Sequence, residues 1–218
     1  MSLAEVVGWL AALAAIVLGI PQVVRLVRTR STAGLSTVAW QASLAICLGW
    51  LVHGFQIGAL NMIVPNGFGA LPAVAVLLLV LRERRLNPVR LFAPVAVVAA
   101  GMITVDLMLG STWYGLVATG AAVVANAGQG VQLVRAPSIQ GVAPGFLLVQ
   151  LANQVLWLGW GFLVNDSGTQ IASISTGVIA LFNVVWWLLR SAGLRPLFVR
   201  PQVGGLVPDE AAQVSCQT

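Results

Sequence analysis

The chain has no lysine, one histidine (His53), one tyrosine (Tyr114) and two cysteines among 218 residues, and only 8% of it is charged. Each scarcity excludes something. Soluble domains carry about 25% charged residues, so a water-exposed globular surface cannot be built from this composition. Cys47 sits inside an apolar run and Cys216 near the polar carboxyl end, which leaves no disulfide framework. One histidine, with no metal-ligand cluster and no nucleophile paired to a base, gives catalysis nothing to activate. The reading is of a protein that is not an enzyme and needs no cofactor or metal.

What is abundant is apolar. Hydrophobic residues make up 59% of the chain and the mean hydropathy is +0.95. Seven apolar stretches follow one another: Leu3–Val27, Leu35–Phe55, Asn61–Leu81, Val89–Leu109, Trp113–Val134, Val142–Val164 and Gln170–Leu189. Each is long enough to cross a hydrocarbon core of about 30 Å as a helix. The eleven arginines sort by side. Arg25, Arg28 and Arg30 follow the first stretch, and Arg82, Arg84, Arg85 and Arg90 lie between the third and fourth. Arg135 follows the fifth, while Arg190, Arg195 and Arg200 follow the seventh. All fall on one face of a seven-span chain. Basic residues in short loops stay in the cytoplasm, which predicts an amino terminus outside and a carboxyl terminus inside. That segregation also explains the basic charge without nucleic acid. Arginine without lysine suggests a bacterial plasma membrane.

The sequence repeats itself at an offset of 107 residues. Pro21–Phe55 lies without gaps over Gly128–Phe162, sharing Gln22/Gln129, Arg28/Arg135, Ser31/Ser138, Gly34/Gly141, Trp50/Trp157, Gly54/Gly161 and Phe55/Phe162. Internal repeats define architectures. The predicted fold is an all-α membrane protein of seven transmembrane helices, two parallel three-helix repeats joined by a linker helix (3+1+3). The units are residues 1–81, a linker region 82–112, residues 113–190, and a cytoplasmic, disordered tail 191–218. Proline inside a helix removes a backbone hydrogen bond and bends the chain. Lipid offers no water to the freed carbonyl. Pro21 and Gln22, answered by Gly128 and Gln129 in the second copy, are therefore the candidate hinge residues.

The Pro21-Gln22 pair, the following "RSTAGLS", and the duplicated three-helix unit resemble the PQ-loop membrane proteins, and among them the SWEET sugar transporters. "LAICLGWLVHGF" keeps Cys47, Trp50 and Gly54 of a second-helix pattern in that family, with His53 where the family has tyrosine. "LANQVLWLGWGF" keeps Asn153 and Trp157. "PNGFG" looks like the family's substrate-binding asparagine motif and points to Asn66. Of four prolines that the resemblance implies at inner helix ends, the chain keeps Pro21 and has Gly128, Ala39 and Phe146 at the matching positions.

A neutral polyol needs amides and hydroxyls for hydrogen bonds and flat aromatic faces for its apolar side. Asn66, Trp50, Trp157 and Ser173 (the position answering Asn66 in the second repeat) form that candidate binding set. Two competing readings stand beside it: tryptophans also gather at the headgroup level, and buried amides also serve helix–helix contacts. His53 reads as an interfacial histidine with no catalytic partner. No Asp, Glu, Lys or Arg falls mid-span, whereas proton-driven carriers place such groups on the path. The expectation is passive uniport of a small neutral solute by alternating access, by resemblance a mono- or disaccharide. The alternatives are a non-transporting receptor of the same fold and a carrier of amino acids or other small organic molecules. Expected partners are the solute, the lipid bilayer and a second copy of the chain.

Overall fold

The computed structural model describes residues 1–29, 36–139 and 142–197. Their secondary structure is helical: α1 (Leu3–Thr29), α2 (Thr37–Gln56), α3 (Leu60–Glu83), α4 (Pro88–Leu109), α5 (Ser111–Arg135), α6 (Pro144–Leu163) and α7 (Ser167–Ser191). No strand occurs among the described residues. Every expected apolar stretch became a helix, with ends moved by three residues or fewer. Among the described residues, six helices (α1 over Leu3–Pro21, α2, α3, α4, α6 and α7) are long and apolar enough to cross a membrane. α5 has 25 residues, about 37 Å at 1.5 Å per residue. Residues 198–218, most of the expected tail, lie outside the described part. Residues just after α7 are not free: the Leu197 amide donates to the Val134 carbonyl at 2.9 Å.

Local chemistry sets the helix ends. Ser36 caps α2, its hydroxyl accepting from the Ala39 amide at 3.3 Å, and Asn87 caps α4 by accepting from the Val89 amide at 2.8 Å. Such caps satisfy amides that have no partner within the helix. α4 and α5 are joined by Gly110 alone, at φ +83, a left-handed conformation that glycine adopts without steric cost. α7 begins earlier than its apolar run because Asp166 caps it, accepting from the Thr169 amide at 2.9 Å. Pro21 lies exposed within α1, which runs on to Thr29. The side chain of Gln22, the expected partner for the carbonyl freed by that proline, lies outside the described residues.

The helices pack in a definite order. α3 lies against both α1 and α2, and α7 against both α5 and α6. Among the described residues, α1 and α2 do not touch, nor do α5 and α6. α1 meets α6 and α2 meets α5, while α4 leans on α2, α3 and α5. Between α2, α3 and α4, an apolar core is built from Leu44, Ala45, Ala73, Val76, Leu77, Val80, Leu91 and Val95. Much of the outer surface is apolar too, including Val38, Leu71, Val89 and Val97, as lipid-facing helices require. The helix ends that carry the arginines gather at one end of the bundle. At that end Arg84 reaches Thr37 at 3.0 Å. Arg190 is buried, donating to the carbonyls of Leu133 at 2.8 Å and Ala136 at 2.7 Å. It thereby closes the end of α5 as well as marking a side.

Lipid supplies little hydrophobic drive between helices, so close approach of small residues has to supply packing. At the arginine-free end α5 meets α7 at Gly115. A Cβ there would lie 2.6 Å from the Gly168 carbonyl oxygen, and one on Gly168 would lie 2.6 Å from the Ser111 carbonyl oxygen. Neither backbone atom can swing away. Gly115→Ala should therefore destabilise the protein by about 1–3 kcal/mol, the range for overpacking, read as a lower melting temperature in detergent. Gly101→Ala, where a Cβ meets nothing within 4 Å, should melt like the parent.

Candidate functional site

Between the helix groups lies a cavity of about 340 Å³. All four expected binding residues line it: Asn66 from α3, Trp50 from α2, Trp157 from α6 and Ser173 from α7. Sequence reading had not assigned Gln154, Thr169 or Asn153 to it, nor Thr176 or Cys47. The sequence signal for some was present. Gln154 answers Cys47 at the 107-residue offset, and Thr176 stands one helical turn beyond Ser173. Among the described residues, no charged side chain lines the cavity.

Several of the polar groups are held from behind. The Asn66 side-chain amide donates to the Met62 carbonyl of its own helix at 2.8 Å. That bond engages one of the two amide hydrogens, which leaves the oxygen and the second N–H to meet a hydroxyl. Pro65 precedes it and is buried, and it lacks the N–H that would have bonded the Asn61 carbonyl. Asn153 is tied across the helix groups, donating to the Ala11 carbonyl of α1 at 2.8 Å. Thr176 donates its hydroxyl within α7 or to Gln154 of α6, both at 2.6 Å. Gln129, a candidate hinge residue, accepts from Asn183 at 3.5 Å and so binds α5 to α7; Gly128 precedes it within α5.

Trp50 and Trp157 face the cavity. Trp50 sits edge-on to Tyr114 at 4.9 Å and to His53 at 5.6 Å, and Trp157 edge-on to Trp160 at 5.7 Å. Trp160, Met62 and Ala59 form a small buried cluster with Val7, Trp50 and Trp157 packed against it. Beyond it, at the arginine-free end, a wider cleft of about 590 Å³ is lined by Glu5, Trp9, Asn61, Ser111, Trp160 and Asp166 among others.

His53 is where the structure departs most from expectation. It is 1% exposed and it has partners on both nitrogens. Nδ1 lies 2.8 Å from Asp106 Oδ2 and Nε2 lies 3.3 Å from Asp166 Oδ2. Tyr114 stacks on the imidazole at 4.8 Å, nearly parallel. Gln56 also donates to Asp106, at 2.9 Å, and Asp166 accepts from the hydroxyls of Ser111 and Thr169. The partners lie 53 and 113 residues away, so no local pattern announces them. Burial alone would raise the Asp166 carboxyl. Hydrogen bonds from His53, Ser111 and Thr169 outweigh it and hold the group well below the usual carboxylate range.

A family model for the PQ-loop repeat matches residues 3–39. Among solved structures, the fold is similar to that of a eukaryotic SWEET transporter, with a TM-score of 0.68 and 19% sequence identity. The match covers 88% of this chain and 100% of that one. No curated protein matches the chain in sequence. The chain is an integral membrane protein with a PQ-loop repeat at its amino-terminal end and a SWEET-like helical fold.

A carboxylate depressed by folding stabilises the protein above its unfolded pKa, and that contribution is lost as pH falls. Asp166→Asn removes it along with the charge-assisted bonds, whose loss in a buried site is worth about 1–3 kcal/mol. The variant should melt below the parent at neutral pH. Since the unfolded carboxyl titrates near about 3.9, the gap should narrow as pH drops below that value, followed by thermal denaturation in detergent.

Proposed function

We propose that the protein is a passive carrier of a small neutral solute, a sugar in the first instance, working by alternating access. The observation that carries this is the cavity: amides of Asn66 and Gln154, hydroxyls of Ser173 and Thr176, and the indoles of Trp50 and Trp157, with no charged side chain among them. Such a lining suits a polyol and disfavours a zwitterion, whose ammonium and carboxylate would enter without partners. Amino acids therefore rank below sugars. The likeness to a SWEET transporter supports the same reading.

The carrier reading takes α1–α3 and α5–α7 as co-directional triplets joined by α4, all seven crossing the membrane, with the amino terminus outside. Its support is the matching contact order: in each triplet the third helix lies between the first two, and α1 meets α6 as α5 meets α2. The cavity then sits where two halves could rock about a common site. Pro21 in α1 and Gly128-Gln129 in α5 occupy equivalent places and are the proposed hinges. A second reading, a solute receptor without flux, is favoured by the residues Gly128, Ala39 and Phe146, which are less constrained than proline.

Purified protein in liposomes should take up labelled glucose or sucrose saturably and without an imposed gradient of protons or sodium. Asn66→Ala and Trp157→Ala should each reduce uptake at least about tenfold, a loss of about 1.4 kcal/mol. Saturable binding with no flux would support the receptor, and flux of a neutral amino acid that sugars do not inhibit would support the third class.

A further inference from the structure

We propose that His53, Asp106 and Asp166 form a one-proton latch that fastens α2 to the start of α7 and closes the arginine-free end of the cavity. The bundle opens there when the proton leaves. This rests on the carrier reading for its purpose but not for its test.

The geometry counts the proton. A neutral imidazole has one N–H and one lone pair, and only the imidazolium donates from both nitrogens. Here both nitrogens face a carboxylate oxygen, at 2.8 Å and 3.3 Å. The arrangement therefore holds one proton more than a neutral histidine and two carboxylates would. Take that proton away, and the remaining N–H stays on the shorter bond to Asp106. The Nε2 lone pair then points at the Asp166 oxygen, and attraction becomes repulsion in a site where all three residues are buried.

The two contacts are not equivalent in the fold. His53–Asp106 joins α2 to α4. His53–Asp166 joins α2 to the residue that caps α7, the only one of the pair that ties one triplet to the other. It is also the contact that deprotonation breaks. Asp166 has separate anchors on the second triplet's side, the hydroxyls of Ser111 and Thr169, so it would move away with α5 and α7 rather than follow His53. Position completes the case. Asp166 lines the outer cleft and Thr169, bonded to it, lines the cavity. The latch stands between the two spaces, beside the Ala59–Met62–Trp160 plug.

The surrounding groups do not duplicate it. From α5 the titratable neighbour is Tyr114, stacked on the imidazole. From α4 it is Asp106, shared with the neutral Gln56. Cys47 lies further along α2, toward the cavity. The charged groups of α3, Arg82, Glu83 and the capping Arg84, are at the opposite end. Glu5 of α1 lines the same cleft as Asp166. With the cluster at one end of the bundle in both positions, the proton returns to the water it came from. The latch gates the carrier and drives nothing.

Two spin labels report the latch directly. They are attached at Ile57→Cys, beyond α2, and Val164→Cys, beyond α6, in full-length protein carrying Cys47→Ala and Cys216→Ser, reconstituted in liposomes without sugar. A free histidine titrates at about pH 6.5 and neighbouring carboxylates favour its charged form, so distance distributions are compared at about pH 5.5 and 9.5. The share of the longer distance should rise at least threefold at the higher pH, and His53→Gln should give the same distribution at both. Asp106→Asn should flatten the response as well, and stands in if the histidine variant does not fold. Coincident distributions in the parent, or an undiminished response in the variants, would overturn the latch. Sugar flux with no pH response removes the latch and keeps the carrier. A pH response without flux removes the carrier and keeps the latch.

Discussion

Lipid gives a polar group nothing to bond, and the interior of this protein is organised by that constraint. An amide or carboxylate that enters the bundle is costly unless another part of the chain meets it, and several are so met. Asn153 is met by the Ala11 carbonyl, Thr176 by Gln154 or its own helix, and His53 by two aspartates. Most of these bonds join helices that are distant in sequence, so satisfying them fixes which helix lies beside which. The cavity lies among the same residues. Its lining mixes their amides and hydroxyls with indoles and small apolar side chains.

Polarity is graded along the bundle. Arginines crowd one end, and one of them, Arg190, is drawn in to close the carbonyls at the end of α5. The middle carries amides, hydroxyls and indoles, without charge among the described residues. The other end carries the buried histidine and its two carboxylates, with small residues letting α5 and α7 approach within backbone contact. A neutral solute would meet no charge in the cavity, while the charged groups that are buried stay at the ends, where helices could part.

Much of the fold was legible in the sequence. Apolar runs mark helices because a membrane span must be apolar over its whole length, and the observed ends follow the predicted ones closely. α7 departs most, since a capping aspartate is polar and falls outside any hydropathy run. The repeat led to Ser173 through Asn66 and to Trp157 through Trp50, and all four reach the cavity. The sequence did not show that the third helix of each triplet lies between the other two, because packing order depends on shape rather than on composition. It misled on His53. A lone histidine near a span end has no local partner, and its real ones come from α4 and from the cap of α7. Asp106 and Asp166 were visible only as residues near outer ends; burial and pairing are tertiary facts.

The proposed account depends on α5 crossing the membrane with the other six, because only an odd number of crossings makes the two triplets point the same way around one cavity. α5 is rich in small and polar residues and is the helix outside the apolar set, yet it packs on α2, α4 and α7. Reporter fusions at the amino and carboxyl ends, scored for which side of the membrane each occupies in intact cells, test this directly. The account predicts opposite sides, with the carboxyl end inside. Both ends on one side would contradict it.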